Sequence, residues 1–139
     1  MSKQQEATKT FLEQVRYVDQ RISSKIEQVQ SLRDLATKAT SVMSEVPPSG
    51  SRNVHRMEDV IVKMIDLEQE INDDIDELVD LKSGIMTAIK QVNKPEYQTI
   101  LELRYLCLKT WGQIAEAMNY DERWVRRLHD NALFAIKPY

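Results

Sequence analysis

The chain has 139 residues, 42% of them hydrophobic but only 6% aromatic, 29% charged, and a net charge of −3. Three glycines are too few for the phosphate loop of a nucleotide-binding α/β fold. With no nucleophile elbow and no metal-ligand spacing either, the composition excludes the common enzyme classes and calls for no cofactor and no metal. A single cysteine, Cys107, cannot form an intramolecular disulfide, and no apolar run has the length of a signal peptide or a membrane span, so a reducing cytoplasm is the expected home.

The glycines and prolines cluster at residues 47–50, 84, 95, 112 and 138. Between them lie two uninterrupted stretches of roughly 35 to 40 residues, a length that suits helices and not strands. An all-α fold is expected: a long antiparallel coiled-coil helical hairpin followed by a C-terminal three-helix helix-turn-helix domain.

Residues 1–9 are polar without apolar spacing and read as a flexible N-terminus. From Phe11 the apolar residues fall in heptads, with Val15, Ile22, Val29, Ala36 and Met43 as one set. Phe11, Val18, Leu32 and Ala39 form the other, broken by Lys25. This predicts a helix of roughly 35 residues, about 50 Å long.

Two prolines and a glycine within 44–53 predict the hairpin loop. Met57, Met64, Ile71, Leu78, Ile85 and Val92 then repeat every seven residues, with Val54, Ile61, Ile75 and Ile89 as companions and Glu68 and Lys82 as interruptions. A short loop between helices of similar length makes them antiparallel neighbours, giving a hairpin over 10–92. Lys25 then falls opposite Asp73 and Asp74, a pairing expected to lock the register. Ile26, Leu35, Val60, Ile65, Leu67, Val79 and Leu81 widen the apolar stripe beyond what two helices cover, which predicts a homodimer unless the C-terminal helices fold back over it.

Residues 93–139 contain three further helix starts. Asn93-Lys-Pro-Glu96 combines a capping residue, a proline in the first turn and an acid, opening a helix through Ile100, Leu103 and Leu106. Thr110-Trp-Gly-Gln113 is a capping box, with Trp111, Ile114, Ala115 and Met118 facing inward. Asp121 caps a third helix whose inner face is Val125, Leu128 and Ala132. Ala115, Asn119, Val125 and Leu128 supply, at helix-turn-helix spacing, a small residue at the crossing, a left-handed turn residue and two inward apolar residues.

The outer face of the last helix carries Glu122, Arg123, Arg126, Arg127 and Asp130. Arginines there can fork onto guanine edges or clamp phosphates. The expected roles are Arg123 and Arg127 on bases, Arg126 on phosphate, and Lys109 with the start of the helix at Thr110 on the DNA backbone. Glu122 either accepts from a cytosine amine or only complements the helix dipole. Trp111 reads as a packing residue, Trp124 as packing or base-stacking, His129 as a helix-edge residue and His55 as surface. The acidic run Glu68–Glu77 reads as a solvated coiled-coil face that keeps DNA off the hairpin.

The segment Ile100-Leu-Glu-Leu-Arg-Tyr-Leu-Cys-Leu-Lys-Thr-Trp-Gly-Gln-Ile-Ala-Glu-Ala-Met-Asn-Tyr-Asp-Glu-Arg-Trp-Val-Arg-Arg-Leu-His-Asp-Asn-Ala-Leu133 resembles the promoter-recognising C-terminal region of bacterial sigma factors. It resembles more closely the sigma-like regulators of phages of low-GC Gram-positive bacteria, including late-gene activators of the RinA and ArpU type. The resemblance covers about a third of the chain. It implies that Glu122, Arg123, Arg126 and Arg127 match DNA-contacting positions. It also implies a phage-borne activator of the bacterial host cytoplasm, bound to double-stranded DNA and touching RNA polymerase. Trp124 departs from the polar or basic residue usual there, and residues 1–93 hold no counterpart of the promoter-opening parts. The function expected is a sequence-specific transcription regulator reading the major groove with helix 122–133. The alternatives are a phage packaging, small-terminase-like DNA-recognition subunit and a coiled-coil protein–protein adaptor.

Overall fold

The structure, a computed structural model, describes residues 2–45 and 51–136, with the side chains of 41–45 and 51–53 excepted. All regular structure among these residues is helical: α1 (Lys3–Glu45), α2 (Ser51–Lys90), α3 (Pro95–Leu101) running into a π-helical turn (Glu102–Leu106), α4 (Trp111–Met118) and α5 (Glu122–Ala135). The connection expected over 44–53 is shorter, since helix extends to Glu45 and resumes at Ser51; residues 46–50 and the side chain of Met43 lie outside the described part. The chain divides into two compact units, one formed by Met1–Val18 with Leu78–Tyr139 and the other by Asp19–Glu77.

In the unit Asp19–Glu77, Arg21 meets Glu77 at 2.6 Å, Lys25 meets Asp74 at 2.7 Å and Arg33 meets Glu68 at 3.9 Å. One residue number rises as the other falls, so α1 and α2 run antiparallel here. Lys25 pairs with Asp74 and also lies 3.8 Å from Glu70; Asp73 instead accepts from Gln69 on its own helix. The hydrogen bond from Lys25, with a second contribution from Arg21, holds the Asp74 carboxyl below the usual carboxylate range.

This pair also corrects the expected seam. An aspartate buried at position 74 brings the residues one, two and four turns before it inward on the same stripe, so Ile71, Leu67 and Val60 are half-buried. Val54, Ile61 and Ile75, expected in the seam, are 43%, 46% and 42% exposed. A sequence pattern with two apolar stripes side by side cannot say which one faces the partner helix. The buried ion pair decides it.

The other unit has its own continuous core, in which Leu12 and Val15 of α1 and Ile85, Ala88, Ile89 and Val92 from the end of α2 pack with Ile100, Leu101, Tyr105, Ile114, Val125, Leu128, Ala132 and Leu133. The boundary expected at residue 93 is therefore not the boundary of a packing unit. Nor are residues 1–9 a flexible lead. Ser2 Oγ accepts from the Gln5 amide while Gln5 Oε1 accepts from the Ser2 N–H, a capping box that starts α1 at Lys3. The buried Gln5 then donates through Nε2 to the carbonyl of Asp130 at 2.7 Å, and Thr8, about one turn further along α1, is buried too.

Further along, α3 starts one residue later than expected. Pro95 takes the first helical position, so Lys94 and not Asn93 is the N-cap, with no side-chain cap bond. Gln98 uses its amide to tie off the end of α2, donating to the Val92 carbonyl at 2.7 Å. The π-helical turn shifts the inward face to Tyr105, leaving Leu103 and Leu106 only half-buried. The turn closes at Leu108, whose φ of 55° is left-handed, with Leu108 packed against the core.

Two tests follow from these contacts. Lys25→Leu should lower Tm by taking the nearest partner from the Asp74 carboxylate, which then keeps only Arg21 at 3.2 Å. Lys25→Leu with Asp74→Leu should recover most of the loss, since Arg21 retains Glu77 and an apolar pair replaces an ion pair at little cost. Equal Tm values for the single and double variants would exclude this role. At the turn between α4 and α5, Asn119 adopts φ 58° and ψ 40°. Asn119→Ala should cost about 1 kcal/mol in urea unfolding and Asn119→Gly nothing, because only the β-carbon is penalised there.

Candidate functional site

The capping box at the start of α4 is formed: Thr110 Oγ1 accepts from the Gln113 amide at 3.2 Å, and Gln113 Oε1 accepts from the Thr110 amide at 2.9 Å. Ile114 and Ala115 point into the core. Asn119 then reverses the chain, and Asp121 Oδ1 accepts from the Trp124 amide at 2.7 Å to open α5. Val125, Leu128, Ala132 and Leu133 are buried, which leaves Glu122, Arg123, Trp124, Arg126 and Arg127 exposed along the opposite face. The helical period does this sorting without help from any single residue.

The exposed residues fall into two groups. Arg123, Trp124 and Arg127 line a shallow cleft together with Asp121. Trp124 is 41% exposed and meets Tyr120 edge-on with ring centroids 6.4 Å apart, so it projects from the surface. Arg126 instead leans toward α4: its guanidinium is 5.2 Å from the Trp111 ring centroid, and its Nη2 lies 3.2 Å from Glu122 Oε1. Glu122 is thus engaged by a neighbour one turn away. Lys109 and Thr110 are exposed at the start of α4.

Three further residues, two of them buried, join this site without a signal in the linear pattern. Arg104 places its guanidinium 4.2 Å from the Trp111 centroid and donates through Nη1 to the Lys109 carbonyl at 2.9 Å. Burial, then the neighbouring Arg16, push this guanidinium below its ordinary pKa. Tyr105 is buried, and burial raises its phenol. His129, expected at a helix edge, is instead 2% exposed; it hydrogen-bonds to the Tyr105 hydroxyl and meets the Trp111 ring edge-on at 4.8 Å between centroids. The correction has a simple cause: α5 buries positions 125, 128, 129, 132 and 133, so the inner stripe is wide enough to take in residue 129. His55 is exposed, as expected.

No group of three His, Cys, Asp or Glu suited to a metal exists among the described residues. None of the described helices is long and apolar enough to cross a membrane.

Fold and site together define an all-helical protein with an arginine-bearing C-terminal helix presented beside a capped partner helix. Its sequence matches the family model DUF1492, described as a protein of unknown function, over residues 38–136, and the chain belongs to that family. No curated protein and no solved structure matches it.

Burial holds His129 neutral, with its pKa lowered to about 4 from an ordinary 6.5. The unfolded chain therefore binds a proton that the folded chain does not between those values. Stability should fall as pH drops from 6.5 toward 4, by up to about 3 kcal/mol. Urea unfolding across this window checks it: a His129→Gln variant should show a shallower slope, and an unchanged slope would remove His129 as the cause.

Proposed function

We propose that the chain is a sequence-specific DNA-binding transcription regulator of phage type, with α4 and α5 as its helix-turn-helix and α5 entering the major groove. The observation that carries this reading is the separation of faces on α5. Val125, Leu128 and Leu133 are buried, while Arg123, Trp124 and Arg127 stand together on the exposed side. Arg123 and Arg127 fork onto base edges, Trp124 packs against a base or sugar beside them, and Arg126, Lys109 and Thr110 contact the backbone. Glu122, bonded to Arg126, orients that guanidinium.

The architecture proposed is a long antiparallel helical hairpin followed by this C-terminal domain, in the cytoplasm of a bacterial host, with RNA polymerase as a second partner. A homodimer is proposed from the apolar surface that the single chain leaves open. Ile26, Leu35, Ile61, Ile65 and Ile75 of the unit Asp19–Glu77 are each more than two-fifths exposed. The same surface favours the second reading, an adaptor that captures another protein's helix.

Selection from a random DNA duplex pool, run on the chain and on an Arg123→Ala, Arg126→Ala, Arg127→Ala variant, tests the leading reading. One enriched motif is expected, weakened at least a hundredfold in the variant because each forked contact is worth about 1–3 kcal/mol. A two-fold symmetric motif would agree with the homodimer. Absence of any motif together with absence of salt-dependent binding would leave the adaptor.

A further inference from the structure

The Trp111 indole is approached by two guanidinium groups, Arg104 from the π-helical turn at 4.2 Å and Arg126 from α5 at 5.2 Å. The Arg126 charge reaches Arg104 and opposes its charge, a repulsion that an anion beside the two would relieve. The local carboxylates do not neutralise the pair. Glu122 reaches Arg126 only, and among the described residues no carboxylate comes within 4 Å of Arg104. Glu13 and Arg16 of α1 are both within electrostatic reach of Arg104, where their contributions oppose each other. A contact with an aromatic ring holds a planar guanidinium without consuming its N–H donors, which suits it to meet an oxyanion.

We propose that Arg104 and Arg126, braced on Trp111, form a clamp for a phosphate oxyanion, occupied in function by a phosphodiester of the DNA backbone beside the segment read by α5. This rests on the DNA-binding reading and deepens it. It adds Arg104, a residue outside the helix-turn-helix, as a positioning residue. The arginine acts on phosphate alone, so it contributes register and affinity without base preference.

The geometry explains why this arginine stays on the surface of the core. Its Nη1 bond to the Lys109 carbonyl fixes one side of the fork and, through the same carbonyl, the backbone just before α4. Arg126 is tethered from the other side by Glu122. Each guanidinium therefore has one anchored edge, and the remaining donors are available to an incoming ligand.

The test compares the full chain, Arg104→Gln and Arg104→Lys in duplex binding across a salt series, with helicity and Tm checked for each. The logarithm of affinity against the logarithm of salt should lose about 0.9 from its slope in Arg104→Gln, for one phosphate contact removed, with the selected base motif unchanged. Arg104→Lys keeps the charge and should keep the slope. An unchanged slope in Arg104→Gln, where the unaltered chain binds DNA, overturns the clamp and leaves the DNA reading standing.

A second arm follows Trp111 emission in a Trp124→Phe background as inorganic phosphate replaces chloride at constant ionic strength. A saturable change that Arg104→Gln abolishes is expected. If duplex DNA does not bind at all, that change keeps the oxyanion site and assigns it to another phosphate-bearing ligand, whereas no change overturns it. This arm also decides the matter if Arg104→Gln fails to fold, since the titration of the Arg104-intact chain stands alone.

Discussion

Short helices cannot bury themselves, and this constraint organises the C-terminal half of the molecule. α4 has 8 residues and α5 has 14, so each can contribute only a few side chains to a core. An isolated segment of about 45 residues lies near the lower limit for an independently stable domain. The solution is borrowed surface. Leu12 and Val15 from α1 and Ile85, Ile89 and Val92 from α2 enter the same cluster as Ile114, Val125 and Leu133. Burying a side chain of this size contributes about 1.5–3 kcal/mol, and five borrowed residues change a marginal bundle into a stable one. Polar ties reinforce the loan: Gln5 reaches the Asp130 carbonyl, and Gln98 closes off the end of α2.

That arrangement marks what could be read from the linear pattern and what could not. Helix content was legible because glycine and proline are sparse and clustered. The starts of α4 and α5 were legible too, since Thr110 with Gln113 and Asp121 are local capping signals. The left-handed turn at Asn119 follows from asparagine's tolerance of that backbone. Unit boundaries were not legible, because they depend on which distant residues share a core. The polar stretch at 1–9 looked frayed for the same reason: its anchor, the Ser2 and Gln5 capping box, carries no apolar signal, and its partner on α5 lies 125 residues away.

The seam of the two long helices is a subtler case. Positions 54, 61 and 75 and positions 60, 67 and 74 both complete a heptad with Met57, Met64 and Ile71, so apolar counting favours the first set, in which all three are branched hydrophobes. The second set contains an aspartate and still faces inward, because Lys25 is itself a seam residue and needs a partner. Turning that stripe inward gives the Lys25 ammonium the Asp74 carboxylate at 2.7 Å and leaves Val54, Ile61 and Ile75 more than two-fifths exposed. Electrostatic pairing here overrides hydrophobic pattern, and the apolar stripe it displaces becomes the open surface on which the proposed homodimer rests.

A related trade operates beneath the arginine face. A buried imidazole and a buried phenol are expensive groups to place in a small core, yet His129 and Tyr105 satisfy each other, and Asp130 lies 3.2 Å from the other ring nitrogen. Trp111 closes over His129, and its indole carries Arg104 and Arg126. A chain of contacts thus runs from a neutral buried pair to two surface cations. An aliphatic core at these positions would pack as well but would give the indole no polar edge to lean on and no fixed tilt. Buried groups thus place the indole, and the Lys109 carbonyl and Glu122 then tether the two guanidiniums beside it, which is how a small helical unit can hold an arginine pair in place.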